Sequence, residues 1–68
     1  MKLQEVAQQV QMTKRALQYY EEKGLLQVEK AENGYHRYNE DNIAVFQRIQ
    51  VYRKLRMEQS AITRIFHA

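Results

Sequence analysis

The sequence of 68 residues contains no cysteine, no proline and no tryptophan, and it has only two glycines. Without cysteine, disulfide bonds and thiolate metal sites are excluded, which fits a reducing compartment. No apolar run approaches the roughly 20 residues that a membrane span needs. The chain turns polar directly after Met1, so we expect no secretory signal. These absences predict a soluble cytoplasmic protein with no membrane partner.

The short chain also offers little of the chemistry that an enzyme needs. A domain of this size buries only about 60% of the surface that its unfolded chain exposes, which leaves little room for a catalytic cleft. The acidic pairs Glu21-Glu22 and Glu40-Asp41 fall near predicted helix ends, where exposed carboxylates are common. His36 and His67 are far apart in sequence and have no cysteine partners. We therefore expect one domain over residues 1–68 without catalysis, metal or cofactor.

A modest excess of positive charge gives the first indication of a partner. The chain has 11 lysine and arginine residues against 8 aspartate and glutamate residues, a formal charge of +3 and a pI near 9.4. Such a balance favours nucleic acid or an acidic surface. Many ordinary domains carry as much charge, so the placement of the basic residues has to decide.

The first third of the chain has the pattern of two short helices joined by a tight turn. Apolar residues recur at spacings of three and four, as on one helix face, at Leu3, Val6, Ala7 and Val10. Gln11-Met12 follows as the turn, and Thr13 can cap a second helix with its hydroxyl. Gly24 stands where a left-handed residue would end that helix. The core face of the second helix is predicted at Ala16, Leu17 and Tyr20.

The middle of the chain predicts a β-hairpin. Asn33-Gly34 is a strong hairpin signal, because both residues tolerate the positive φ angles of a type I′ turn. The strands are predicted over residues 27–29 and 35–38. A lone two-stranded hairpin is marginal in water, so this one must pack on the helices. Its tip and return strand carry polar, basic and aromatic residues, namely Lys30, Asn33, Tyr35, His36 and Arg37.

The last half of the chain predicts two more helices. Asn39 can cap the third, with Glu40 and Asp41 close to its positive N-terminal end. A break is expected near Arg56-Met57, with Glu58 as a weaker cap for the last helix. The apolar stripe of the third helix is predicted at Ile43, Phe46, Ile49, Tyr52 and Leu55. The core stripe of the last is predicted at Ile62, Ile65 and Phe66, with His67 at a frayed end.

The order of elements predicts a mainly α, winged helix-turn-helix fold of about four helices. In that motif the N-terminal part of the second helix enters the major groove of DNA. The side chains expected there are Thr13, Lys14, Arg15, Gln18 and Tyr19. Taken alone they are better explained as a solvated helix face, since exposed basic residues are common. The basic hairpin beside them favours double-stranded DNA, because two independent elements then carry matching chemistry.

A specific set of motifs lies in these segments. The run Thr-Lys-Arg-Ala-Leu-Gln-Tyr-Tyr-Glu at residues 13–21 precedes Gly-Leu-Leu at 24–26. Glu-Asn-Gly-Tyr-His-Arg-Tyr follows at residues 32–38. Together these motifs resemble the N-terminal domain of the MerR family of bacterial transcription regulators, and the resemblance covers nearly the whole chain.

The resemblance implies a four-helix winged domain of a transcription regulator in the bacterial nucleoid. Family dimers bind palindromic promoter sites and distort the DNA, which makes RNA polymerase at the promoter an implied partner. By position, Lys14, Arg15, Gln18 and Tyr19 would contact the groove and its walls. Tyr20 would touch the DNA backbone or the core. The wing contacts would be made by Tyr35, His36 and Arg37.

The chain departs from the family pattern at four positions. The family often has Gly at the position of Gln11, so we expect a less tight turn. It often has Arg at the position of Gln18, which changes the expected base preference there. It often has Arg at the position of His36 as well, which predicts a weaker or pH-dependent phosphate contact. It often has Pro at the position of Val28, which changes the expected entry to the wing.

Family members usually continue into a long dimerisation helix and an effector-binding region. The 68 residues are therefore expected to be an excised domain, monomeric by itself and dimeric in its parent. Two alternatives stay open: a short excisionase-like factor that shapes DNA for recombination, and a protein-interaction module that retains the fold.

Overall fold

Over the described residues, the protein consists of four helices and a two-stranded hairpin. A computed structural model describes residues 1–67. The elements, in chain order, are α1 (Leu3–Val10), α2 (Lys14–Glu22), β1 (Glu29–Lys30), β2 (His36–Arg37), α3 (Glu40–Lys54) and α4 (Gln59–His67). This order confirms the predicted mainly α, winged helix-turn-helix fold.

The connection between α1 and α2 is a tight turn with a left-handed residue. Gln11 has φ 59° and ψ 45°, and the N–H of Met12 donates to the carbonyl oxygen of Ala7 at 3.1 Å. Thr13 then caps α2, because its hydroxyl accepts from the N–H of Ala16 at 3.1 Å. The predicted cap is confirmed, and the turn closes although a side chain occupies a position that suits glycine.

The core is formed by the inner faces of all four helices. Tyr20 and Leu17 of α2 are completely buried, as is Val6 of α1. They meet residues from the C-terminal half of the chain and from the base of the wing. The other core residues are Val10, Met12, Ala16, Tyr38, Phe46, Ile49 and Ile62.

Two predicted core positions of the last half are wrong. Leu55 is 69% exposed, because α3 ends at Lys54 and the chain turns away through Arg56, which has φ 64°. Ile65 is 37% exposed on α4, where Ile62 alone is fully buried. The predicted break near Arg56 is confirmed, and it is this break that takes Leu55 off the apolar stripe.

The hairpin is shorter than predicted and turns differently. Glu29 pairs with Arg37 and Lys30 with His36 in an antiparallel register. The predicted type I′ turn is wrong, because Gly34 is left-handed at φ +86° but Asn33 is not. The N–H of Gly34 donates to the carbonyl oxygen of Ala31 at 2.9 Å. The N–H of Ala31 donates to the carbonyl oxygen of Tyr35 at 2.8 Å.

This pattern is that of a turn followed by a glycine bulge, which needs one left-handed residue where a type I′ turn needs two. Asn33 contributes its side chain instead, whose Oδ1 accepts from the N–H of Tyr35 at 3.2 Å. The bulge lengthens the loop by one residue and leaves the wing tip exposed.

A buried asparagine ties the start of α3 to the wing, which the sequence did not indicate. Asn42 is 3% exposed and forms a reciprocal capping box with Asn39, with bonds of 2.9 and 3.0 Å. Its Nδ2 also donates to the carbonyl oxygen of Gln27 at 2.8 Å. That carbonyl was predicted to lie in the first strand, and its bond to Asn42 keeps it outside the hairpin ladder.

His67 does not lie at a frayed end as predicted. Its Nε2 donates to the carbonyl oxygen of Lys23 at 2.7 Å, which joins the end of α4 to the end of α2. Over residues 1–67, no helix combines the length and the apolar content that crossing a membrane would require.

Replacing Gln11 with glycine should raise the free energy of unfolding by about 0.5 to 1 kcal/mol. A left-handed backbone costs a residue with a Cβ about 1–2 kcal/mol, and the greater chain entropy of glycine offsets part of that gain. Chemical unfolding measures the difference. The matched control is Gln8→Gly within α1, which should lower stability by about 0.5 to 1 kcal/mol. A Gln11→Gly variant no more stable than the parent would contradict this reading of the turn.

Candidate nucleic-acid interface

An open groove lies between α2, the wing and the start of the chain. Lys14 and Gln18 line it from α2, one helical turn apart and therefore on the same face. Tyr35, His36 and Arg37 line it from the wing. The structure thus brings Lys14 and Gln18 together with the three predicted wing residues on one concave surface. The other predicted residues of this region do not line it, namely Thr13, Arg15, Tyr19 and Tyr20.

The side chains predicted to bind DNA at the start of α2 are open to solvent. Thr13, Lys14, Arg15 and Gln18 are all exposed. The Thr13 hydroxyl is engaged as the cap of the helix. Within residues 1–67, no hydrogen bond or ion pair holds the side chains of Lys14, Arg15 or Gln18. Their polar groups therefore face water, and a partner could replace that water with direct hydrogen bonds.

The two adjacent tyrosines of α2 differ in their surroundings. Tyr20 is completely buried, and its hydroxyl has no hydrogen-bond partner within the described chain. Burial raises the pKa of this hydroxyl. Of its two expected positions, backbone contact or core, the structure places Tyr20 in the core. Tyr19 is half-buried, with its ring 5.2 Å from that of Tyr20 and Lys23 Nζ 5.4 Å from its centroid.

The wing residues fall into two groups by orientation. Tyr35 is 71% exposed, and Arg37 is exposed as well. His36 is turned toward α2, where its Nδ1 lies 2.9 Å from Glu21 Oε2 and 3.1 Å from Glu21 Oε1. One imidazole nitrogen of His36 is therefore bonded within the protein itself, whereas the polar groups of Tyr35 and Arg37 face solvent.

Glu21 is a residue of this region that the sequence interpretation missed. It was expected to be exposed near a helix end, but its side chain is only 16% exposed. The Tyr38 hydroxyl donates to Glu21 Oε1 at 3.0 Å, alongside the bond from His36. Burial raises the pKa of that hydroxyl, and its hydrogen bond with Glu21 raises the pKa further, so it stays a donor.

One signal in the sequence could have drawn attention to Glu21. The last turn of α2 contains acidic and no basic residues. A carboxylate there is unfavourable toward the negative end of the helix dipole. Its partners, however, lie 15 and 17 residues further along the chain, beyond what helical spacing can indicate.

The first residue of the chain completes the groove from the side of the wing. The N-terminal ammonium of Met1 donates to the carbonyl oxygen of Tyr38 at 2.9 Å, and the N–H of Tyr38 donates back to Met1 at 2.9 Å. Lys2 and Glu5 also line the groove. Lysine and arginine side chains thus face the groove from the chain start, α2 and the wing, against one glutamate.

Over residues 1–67, no group of three or more histidine or acidic side chains could hold a metal ion. The groove is lined instead by donors of hydrogen bonds and by aromatic carbon. These groups suit the recognition of an anionic, extended ligand.

Comparison with protein families gives a match over the full sequence. The model described as MerR HTH family regulatory protein matches residues 1–68. Comparisons with curated proteins and with solved structures gave no match.

Replacing Tyr20 with phenylalanine should raise the free energy of unfolding by about 1 kcal/mol, because it removes a buried hydroxyl without a partner. The affinity for a DNA duplex should not change, since the hydroxyl is inside the core. Thermal unfolding and fluorescence anisotropy measure the two quantities. Weaker DNA binding by a Tyr20→Phe variant that folds normally would show that the hydroxyl does reach a ligand.

Proposed function

Because the chain belongs to the MerR family of helix-turn-helix regulatory proteins, we propose that it binds specific sequences in double-stranded DNA as part of a transcription regulator. In this proposal α2 enters the major groove, and the wing over residues 27–38 lies on the backbone. The observation that carries it is that Lys14 and Gln18 of α2 line the same groove as Arg37 of the wing.

The first turns of α2 supply groups for reading bases. Lys14 and Gln18 share the face that looks into the groove, and neither side chain is engaged by the described protein. Glutamine can pair with adenine through two hydrogen bonds, and lysine can donate to guanine. We assign base reading to Gln18 and a phosphate at the edge of the groove to Lys14. Arg15 and Thr13, which flank them, are assigned to the phosphates and the thymine methyl groups beside the reading face.

The wing supplies backbone contacts in this proposal. Arg37 can neutralise a phosphate, and the exposed Tyr35 can pack on the sugar-phosphate backbone. His36 has one ring nitrogen bound to Glu21, so its other nitrogen is the one assigned to DNA. Tyr19 of α2 has a half-buried ring, and we assign this ring to the edge of the DNA interface.

The proposal extends to how the parent protein would act. We infer that residues 1–68 form one DNA-binding unit and that two copies bind a palindromic promoter site where RNA polymerase also acts. Footprinting of the longer regulator that would contain these residues tests this. Protection of an inverted repeat supports a dimeric regulator, whereas protection of direct repeats by a monomer supports an excisionase-like factor.

Alanine at Lys14 or Arg37 should lower the salt dependence of binding. The slope of the logarithm of the association constant against that of the salt concentration should decrease by about one for each lost phosphate contact. A suitable control is Lys54→Ala, which makes the same charge change at the end of α3, away from the groove. Slopes that fall equally in all three variants would indicate a general charge effect rather than contacts by these residues.

Alanine at Gln18 should change which sequences are preferred. A lost pair of hydrogen bonds to a base removes about 1–3 kcal/mol of discrimination at that base pair. Selection from a random duplex library, compared with that of the parent, measures the preference. The matched control is Gln47→Ala, an exposed glutamine of α3 outside the groove. If Gln18→Ala weakens binding to all sequences equally, Gln18 does not read bases.

A further inference from the structure

The Glu21 carboxylate and its two partners on the wing, His36 and Tyr38, form a clamp that joins α2 to the wing. One carboxylate accepts from His36 Nδ1 at 2.9 Å and from the Tyr38 hydroxyl at 3.0 Å. In residues 1–67, the side-chain hydrogen bonds that join α2 to the wing all end on this carboxylate. Its position on α2 is one helical turn from Gln18, on the side that faces the wing.

The two wing residues in the clamp alternate with Arg37. Along a strand, successive side chains point to opposite faces, so His36 and Tyr38 share the face toward α2. Arg37 lies between them in sequence, so its side chain leaves the strand on the opposite side from His36, where it is exposed at the edge of the groove. Holding His36 and Tyr38 on Glu21 thus fixes the direction of the Arg37 side chain as well.

The rest of the wing has little of its own to hold it. Its strands are two residues long and pair at two positions. A two-stranded hairpin of this length is marginal in water. Tyr38 anchors one end in the core, but the tip and β1 are exposed. The bonds of Asn42 and Met1 hold the base of the wing, and the clamp is the side-chain contact that joins β2 to α2.

The charge of Glu21 makes its position informative. A carboxylate at the C-terminal end of a helix is opposed by the helix dipole, and near the proposed DNA surface it would also repel phosphates. The neighbouring Glu22 carries the same charge but is exposed, and its side chain forms no hydrogen bond or ion pair within the described residues. The charge of Glu21 is therefore unfavourable for the helix dipole and for DNA binding, and its hydrogen bonds with the wing offset this cost.

We propose that Glu21 is a positioning residue for DNA binding, which sets the wing through His36 and Tyr38 so that Arg37 lies on the backbone while α2 occupies the groove. This inference rests on the proposed function. It predicts an effect of opposite sign to simple electrostatics, since removing an acidic side chain near DNA should otherwise strengthen binding.

The first experiment uses the protein without DNA. Heteronuclear ¹⁵N NOE values report whether the amides of residues 35–37 are rigid. In the unmutated protein the NOE values of these amides should be close to those of the helices. In Glu21→Ala the NOE values should fall to those typical of mobile loops, while the values of the helices stay unchanged. Wing amides as rigid in Glu21→Ala as in the parent would overturn the proposal, whether or not the protein binds DNA.

The second experiment uses a fluorescein-labelled duplex of about 20 base pairs with the sequence that the parent domain enriches from a random library. Glu21→Ala should weaken binding about tenfold, as expected for lost hydrogen bonds to a charged group. Glu21→Gln keeps an acceptor oxygen for both partners and should restore most of the affinity. Glu22→Ala, the matched control, should bind at least as tightly as the parent. Tighter binding by Glu21→Ala would overturn the proposal.

A double-mutant cycle with Arg37 separates positioning from general destabilisation. If Glu21 acts by placing Arg37, then Glu21→Ala adds little to the loss already caused by Arg37→Ala. Fully additive losses would overturn the proposal. Tyr38→Phe provides a second route if Glu21→Ala does not fold, because it removes one bond of the clamp and keeps the buried ring. It should weaken binding about threefold and loosen the wing.

The two proposals fail in different ways. If the parent domain enriches no sequence and binds duplexes without salt dependence, the proposed DNA-binding function is wrong, and the NOE measurement still decides the clamp. If the parent binds a specific sequence and the Glu21 variants neither loosen the wing nor weaken binding, only the clamp is wrong.

Discussion

The packing of α2 against the other helices is the constraint on which the rest of the structure depends. Leu17 and Tyr20 are completely buried and meet residues of α1, α3 and α4 in a single core. Because a helix turns by a fixed angle per residue, burying these two side chains fixes the directions of Lys14 and Gln18 on the opposite side. The orientation of the proposed reading face is therefore a consequence of core packing. The wing then adds a second surface at an angle that the core alone does not determine.

Much of the helical architecture could be predicted from the sequence, because its determinants are local. Spacings of three and four residues indicate the inner faces of α1 and α2, and Thr13 and Asn39 cap helices as their side chains suggest. Errors arose where a backbone break or a distant bond decides the outcome. Leu55 continues the periodicity of α3, but the left-handed residue Arg56 ends the helix before that periodicity matters.

The candidate site was predictable to a different degree at each of its parts. Exposed residues of α2 and of the wing follow from the same periodicities, so Lys14, Gln18 and Tyr35 were found as surface groups. The bond between Glu21 and His36 was not, since it joins residues 15 positions apart whose proximity depends on the whole fold. Tyr20 was predictable, because helical periodicity puts it on the core face, apart from its neighbour Tyr19, and it is completely buried.

Tyr38 belongs to the hairpin by sequence and to the core by burial. Its ring lies 6.1 Å from that of Phe46, and its backbone forms two bonds with Met1. The base of the wing therefore cannot detach without opening the core, so it should unfold with the helices as one cooperative unit. The tip over residues 32–34 has no such tie within the described chain. The domain thus joins a rigid base to a tip that is free to adjust locally, and in the proposed function this would let the wing fit duplexes of different groove width while the fold stays intact.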